Sequence, residues 1–398
     1  MLVSILICYP LFVPSKLNQK KEGKTMKVGI LLDGNPDFPG GIQTYVKGLY
    51  QFLQKAGHQA VIIAGGEEGE SEKKGFKVAR VGKSPTLPGI GTQISAYTDW
   101  IGKEEIEKIT EKERLEILHL QGMFGVLGMR FLDHTRTPSV ATFHNYLEPE
   151  RLPVSLPLLF PLMDHYIKKL DGRIAISQPA LEFANQVSPG EYAVIPPGVD
   201  LERFKNAYRD RFPTKRSITI LYVGRLDKRK GILFLLKAFK KLRERISDVG
   251  LVIVGSGPLE AKAEEFVAKN NLKGVRFVGF ANEEELPRFF AEANLYCAPA
   301  THGESFGIVL LEAMASGLPV VAFANAGYRE VLKGEGAKLL VPPEDVEGLA
   351  EVLIILAKDE ELRKRMSRWS LKEVEQYSWD NVGPRILKVY NDVLHMGT

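Results

Sequence analysis

Residues 26–46, Met26-Lys27-Val28-Gly29-Ile30-Leu31-Leu32-Asp33-Gly34-Asn35-Pro36-Asp37-Phe38-Pro39-Gly40-Gly41-Ile42-Gln43-Thr44-Tyr45-Val46, decide how the rest of the chain is read. Val28–Leu32 is an apolar run of strand length, with no polar residue to mark a solvated face. Asp33–Gly41 is a Gly/Pro-rich turn, and beyond it Ile42, Tyr45, Val46, Leu49, Phe52 and Leu53 recur at helical spacing. A buried strand, a turn and an amphipathic helix make up the unit of a parallel sheet covered by helices.

The same alternation extends outward from this unit. Further strands are expected at Ala60–Ala64, Ile117–Leu120, Val140–Phe143, Ile174–Ile176 and Ala193–Ile195. After Pro196-Pro197-Gly198 comes a polar, basic stretch, Arg203–Arg216, without strong periodicity, which reads as an interdomain linker. A second series then begins, with strands expected at Ile218–Val223, Leu251–Val254, Val275–Val278, Leu295–Ala298, Val320–Phe323 and Lys338–Val341. The helix between the first two carries Ile232, Leu235, Leu236, Phe239 and Leu242 on one face. The pattern therefore predicts an α/β protein of two Rossmann-like domains in series, with ligands beyond the carboxyl ends of the strands, in the cleft between them. The division expected is 26–200 for the first domain, 201–216 for the linker, 217–380 for the second domain and 381–398 for a C-terminal helix that packs back on the first.

Residues 1–25 are set apart as a non-native or dispensable leader, with a short membrane-touching anchor as the competing reading. Met1–Val13 is apolar but shorter than the ~20 residues that span a bilayer. It has no basic segment before it and no small-residue cleavage site after it. Met26 is expected to be the natural start, since Met-Lys-Val-Gly-Ile opens the first strand directly.

At 44% hydrophobic and 26% charged, the 398-residue chain is neither disordered nor multispanning. A net charge of +4 is too small a surplus to argue for nucleic acid. Two cysteines, Cys8 and Cys297, can form neither a disulfide framework nor a Cys-rich metal site, which suits a reducing cytoplasm.

Three groups of residues carry chemistry. Gly40-Gly41 stands between the first strand and its helix, where backbone can approach a ligand and the helix N-terminus favours an anion; a plain tight turn is the alternative. No Gly-x-Gly-x-x-Gly sequence is present, which counts against NAD or FAD. Arg225 and Lys230 follow the first strand of the second series, and two cations at a strand end next to a helix start suit a diphosphate. Lys228 and Arg229 beside them leave a solvated basic turn open as the other reading. The sharpest feature is His302-Gly303-Glu304-Ser305-Phe306-Gly307-Ile308-Val309-Leu310-Leu311-Glu312, joining a strand to a helix expected to run to about Ser316. On a continuous helix, Glu304 and Glu312 would lie two turns apart within ~80° of one face. The N–H groups of Ser305, Phe306, Gly307 and Ile308 would cradle phosphate while the carboxylates accept hydrogen bonds from sugar hydroxyls. Against this, Glu304 reads as a helix cap and Glu312 as a surface residue.

Gly-Arg-x4-Lys-Gly at Gly224–Gly231, Glu-x7-Glu at Glu304–Glu312 and the run Glu312–Val321 resemble the large family of retaining GT-B glycosyltransferases. Tyr296-Cys297-Ala298-Pro299, Ala141-Thr142-Phe143-His144 and Tyr377-Ser378-Trp379 are similar to the phosphatidylinositol mannosyltransferases within it. The resemblance implies two domains facing across a cleft and transfer of a hexose, mannose from GDP-mannose, from a nucleotide sugar to an acceptor hydroxyl with retention of configuration. It implies Arg225 and Lys230 on the donor diphosphate with Gly40 and Gly41 approaching from the other domain. It puts Glu304 on the sugar hydroxyls, Glu312 on the ribose, His144 on sugar and acceptor, and Gln43 and Tyr45 on an inositol ring. The acceptor implied is an inositol phospholipid or related polar lipid, met on the inner face of the cell membrane. A soluble acceptor stays open, as does a nucleotide-sugar-binding protein without turnover. No Asp-x-Asp pair is present to hold a metal on the diphosphate, so neither metal nor cofactor is expected.

One segment departs from those relatives. Where they carry a basic amphipathic helix for anionic lipid, Gly102–Glu113 has more acidic side chains than lysines. Leu152–Met163, followed by Lys168 and Lys169, is the alternative apolar surface for a membrane; burial in the core is the ordinary fate of such a segment.

Overall fold

Runs that are apolar on both faces and too short for helices become central parallel strands. The computed structural model describes residues 25–37, 40–65, 69–73, 75–82, 86–89, 92–95, 101–122, 125–209 and 218–396, and these form two large, mainly parallel sheets with helices on their faces and a small antiparallel two-stranded sheet. In chain order the strands of the first half are β1 (Lys27–Leu32), β2 (Gln59–Gly65), β3 (Gly69–Lys73), β4 (Phe76–Val81), β5 (Thr86–Gly89), β6 (Thr92–Ser95), β7 (Ile117–Gln121), β8 (Ser139–Phe143), β9 (Gly172–Ala175) and β10 (Ala193–Val194). Those of the second half are β11 (Ile218–Val223), β12 (Val249–Val254), β13 (Val275–Gly279), β14 (Leu295–Ala298), β15 (Val320–Phe323) and β16 (Leu340–Val341).

The second sheet has the order β13-β12-β11-β14-β15-β16, all parallel. This is the doubly wound order, in which the chain reverses direction between β11 and β14 and opens a crevice at their carboxyl ends. The first sheet, β10-β9-β8-β7-β1-β2-β4-β3, reverses in the same way between β1 and β7; only β3 runs antiparallel. The two-domain expectation therefore holds. The domains face each other: a Cβ on Gly41 would touch Ile308 Cδ1 at 3.7 Å, Lys47 Nζ reaches Glu283 Oε1 at 2.5 Å, and Arg151 Nη1 lies 3.5 Å from His302 Nε2.

Two chain crossings join the halves side by side. The Val199 N–H donates to the Tyr377 carbonyl at 2.8 Å, and Val199 bridges in parallel to Ser378. The helix Trp379–Met396 then returns to the first domain, where Val382, Ile386, Tyr390 and Val393 share a core with Val28, Val46, Leu49 and Phe52. The Trp379 indole lies in a notch between Gly48 and Gly198, at either of which a Cβ would collide with the ring. Overpacking of this kind costs typically ~1–3 kcal/mol, so glycine is fixed here by close approach of the indole.

Several expectations need correction. The segment read as linker begins with a helix, Leu201–Arg209, started by the Asp200 carboxylate accepting the Arg203 N–H at 3.1 Å. Phe204 is its buried anchor, edge-on to Phe290 at 5.6 Å. Residues 210–217 and the leader, 1–24, lie outside the described residues. Strands β3 to β6 were not anticipated, whereas the acidic segment does form a helix, Lys103–Glu113, with Ile106 buried.

Candidate active site in the interdomain cleft

The loops that follow β11 and β14 meet at the reversal point of the second sheet. The Thr301 N–H donates to the Arg229 carbonyl at 2.9 Å, tying one loop to the other. Gly231, at φ 73°, sits so close to the Pro299 carbonyl that no side chain fits. Within the first loop Asp227 is buried, and its Oδ1 accepts the Lys230 N–H at 2.9 Å. Its Oδ2 lies 3.8 Å from Arg225 Nε, and neither atom has a hydrogen-bond partner among the described residues. Asp227 thereby folds the turn that carries Arg225 and Lys230.

Glu304 is the focus of the second loop. It is 8% exposed, and its Oε1 accepts from Arg229 Nη1 at 2.6 Å and Lys230 Nζ at 2.7 Å. Burial on its own raises a carboxyl pKa. Here Lys230 and Arg229 outweigh it and hold Glu304 below the usual range, so the group is ionised. Arg229 also donates to the Gly303 carbonyl at 2.9 Å. The sequence passed over Arg229 as one of three adjacent basic residues and took no notice of Asp227. Their signal lies in the fold, in what a turn of this length brings against Gly303.

The helix after this loop runs over Ile308–Ala315 and starts from Gly307 at φ 109°. Glu304 therefore stands off the helix, which corrects the shared-face argument, and it is no cap, since the start has no side-chain hydrogen bond. Ser305, Phe306 and Gly307 form the turn into the helix. The Phe306 ring packs against Tyr377 at 5.6 Å, so its backbone alone is left to face a ligand. Ile308, the first helical residue, lies opposite Gly41, the first residue of the helix Gly41–Lys55. Two positive helix ends thus converge across the cleft, a setting for a multiply charged anion. Glu312 is not a surface residue. It is 7% exposed and lines the cleft with Lys47, Arg203 and Glu283. Burial pushes its carboxyl up to about 7, Arg203 opposing and Glu283 adding.

In the first domain Gly40 precedes its helix in extended conformation, and Gln43 Nε2 donates to the Asn35 carbonyl at 3.4 Å. Tyr45 was expected to read an acceptor. It is wholly buried, edge-on to His144 at 4.9 Å and 5.5 Å from Trp379, because its place in the helical stripe turns it to the core. It backs His144 and does not reach the cleft. His144 follows β8 directly, with Nε2 2.9 Å from Gln121 Oε1, and burial pushes its pKa down to about 3. His119, read as structural, lies deeper in β7 between Tyr390 (2.6 Å) and Thr142 (2.7 Å). Asp33, past the end of β1, accepts the Leu127 N–H at 2.8 Å at the start of the helix Val126–His134.

Leu152–Met163 divides in two. Leu152, Leu156 and Phe160 pack on the core and Met163 is buried, whereas Val154 is 94% and Leu158 80% exposed, with Leu159 and Leu162 about half so. Lys168 pairs with Asp164 and Lys169 with Asp133, each at 2.6 Å. Among the described residues no helix is long and apolar enough to cross a membrane.

Comparison with known proteins agrees with this architecture. The family model "Glycosyl transferases group 1" matches residues 204–372, and "Glycosyltransferase Family 4" matches residues 39–203. The phosphatidyl-myo-inositol mannosyltransferase of Mycolicibacterium smegmatis is 32% identical over 376 residues, covering 94% of this chain and 95% of that protein. Its counterpart in Mycobacterium tuberculosis is 32% identical over 383 residues, covering 94% and 98%. Among solved structures, the sucrose-phosphate synthase of Thermosynechococcus elongatus superposes with a TM-score of 0.75 at 22% identity, over 93% of this chain and 100% of that one. A glycosyltransferase from Rickettsia africae gives 0.71 at 17% identity, over 94% and 99%.

Proposed function

Because the chain belongs to the GT-B glycosyltransferases, in the family of the mannosyltransferases just compared, we propose that it transfers a mannosyl residue from GDP-mannose, with retention, to a hydroxyl of an inositol phospholipid or related polar lipid. The observation that carries this reading is the ionised Glu304, clamped through Oε1 by Arg229 and Lys230 at the mouth of the cleft. A carboxylate fixed in this way accepts hydrogen bonds from sugar hydroxyls at Oε2 and keeps its geometry through the reaction. Arg225, Lys230 and the two helix N-termini hold the diphosphate and disperse the charge that grows on it as the glycosidic bond breaks. The acceptor hydroxyl attacks from the face the diphosphate leaves, so no enzyme nucleophile is needed. Glu312 meets the ribose, and His144 meets sugar and acceptor.

The acceptor is met at the cytoplasmic membrane surface, with Val154, Leu158 and Leu162 entering the lipid boundary. The acidic helix Lys103–Glu113 favours a second reading, in which the acceptor is soluble. Labelled GDP-mannose offered with phosphatidylinositol vesicles or with water-soluble alcohols and sugars separates the two. Product in the lipid phase supports the first, and efficient transfer to soluble acceptors alone overturns it.

A further inference from the structure

Gln121 occupies a position that the roles above do not use. β7 turns Ile117, His119 and Gln121 to one face by strand alternation, the face covered by the helices Gly41–Lys55 and Trp379–Met396. Gln121 ends the strand where β7 and β1 part company, the reversal point of the first sheet. It is 3% exposed. Its Oε1 faces His144 Nε2 at 2.9 Å, and its own Nε2 is buried with no partner among the described residues. A buried amide left unpaired is destabilising, and such a group in a native site calls for an explanation.

An amide oxygen only accepts, so the imidazole must carry its proton on Nε2 and expose a lone pair at Nδ1. The side-chain hydrogen bond that His144 makes in the fold is through Nε2. The titratable groups on the elements packed around it are Tyr45 on the first helix, His119 on β7 and Tyr390 behind that strand. Burial keeps each of them neutral. Burial keeps His144 neutral too, so which ring nitrogen holds the proton is decided by the hydrogen bond alone.

We infer that Gln121 is a positioning residue and a polar contact of the site: it fixes His144 as the Nε2–H tautomer, so that Nδ1 accepts from a hydroxyl of the bound sugar or alcohol while Gln121 Nε2 donates to an oxygen of the same ligand. The inference rests on the proposed role of His144 in the cleft. It does not depend on which sugar or acceptor is used.

The first test needs no substrate. Nitrogen-15 NMR of the wild-type imidazole should report protonated Nε2 and bare Nδ1. A ring protonated on Nδ1 overturns the inference whatever the enzyme transfers. The second is Gln121→Glu, which keeps the shape but sets an anion against Nε2–H and so favours imidazolium. Its kcat/KM should fall about tenfold per pH unit below the new pKa of His144, an acid limb absent from the wild type. Gln121→Met should give mixed tautomers, with kcat lowered more than donor KM is raised. Folded Gln121→Glu protein with the wild-type pH profile refutes the inference. If that variant does not fold, the wild-type spectrum decides alone. Failure of lipid acceptors in the assay, with the tautomer as expected, would count against the proposed acceptor and leave Gln121 where it is.

Discussion

Glu304→Gln keeps the shape of the side chain and removes its charge, leaving Arg229 and Lys230 to share a neutral oxygen. Hydrogen bonds to a charged group are worth ~1.5–3 kcal/mol against ~1 for neutral ones, so the two bonds lose roughly 1–4 kcal/mol together. Both cations are partly exposed, 28% for Arg229 and 21% for Lys230, which screens the pair and brings the expected loss to about 2 kcal/mol. For a domain of this size that lowers Tm by roughly 4–8 °C. The loss should shrink when GDP is bound, because the diphosphate supplies the missing negative charge. In the wild type Lys230 is shared between the Glu304 carboxylate and phosphate, whereas in the variant phosphate competes only with a neutral amide oxygen. Glu304→Gln should therefore bind GDP at least as tightly as the wild type while kcat drops on the order of a hundredfold. Thermal denaturation with and without GDP, titration calorimetry and steady-state kinetics read the three effects. A variant as stable as the wild type without nucleotide, or one that loses tenfold in GDP affinity but keeps its kcat, would refute the clamp.

Arg225→Ala and Lys230→Ala should each weaken GDP binding by about tenfold or more in calorimetry, with the fold intact, as expected for lost charge-assisted contacts in a cleft. Glu312 has its carboxyl pKa raised in the fold from 4.5 to about 7, so its protonated form favours folding; that contribution is complete below 4.5 and lost as pH rises through 7. Burying it ionised costs at most about 3 kcal/mol, so Glu312→Gln should match the wild type in Tm at acid pH and exceed it at pH 8, with weaker GDP binding; a Tm difference independent of pH would sink this reading. Replacing Val154, Leu158 and Leu162 by Ser should abolish a modest, salt-sensitive co-sedimentation with anionic liposomes, since each aliphatic contributes roughly 1.5 kcal/mol or more on insertion. Phe160 is left in place because it packs on the core. Transfer should persist in excess EDTA, as Arg225 and Lys230 carry the diphosphate charge; loss restored by magnesium would show otherwise.

The central strands were legible because burial on both faces leaves a run of apolar letters that hardly anything else produces. β4 was not, since Lys77 and Arg80 break up its apolar residues Val78, Ala79 and Val81 and leave no clear period beside a turn. The helix Leu201–Arg209 is anchored by the deeply buried Phe204 within a mostly polar sequence, which gives no clear apolar period to count. In the site, Arg225, Lys230, Glu304 and Glu312 could be named because they sit at fixed spacing from strand ends. What each one touches could not. Glu304 leaves the helix because Gly307 adopts a left-handed conformation, and Tyr45 turns inward through the helical phase of its stripe. The Gln121–His144 pair spans 23 positions and depends on two strands lying in one sheet.

The returning helix Trp379–Met396 ties the completion of the first domain to the synthesis of the second. That domain leaves the ribosome first, yet the places of Val382, Ile386 and Tyr390 in its core stay vacant until nearly 200 further residues are made. At about 5–20 residues per second the wait is roughly 10–40 s. Through that interval an apolar trough is open beside Leu49 and Phe52, and His119 lacks the hydroxyl that its Nδ1 meets in the finished protein. A chain that stops before residue 379 should emerge with a sound second domain and an unstable first one, although every residue of the first domain's own sheet is present.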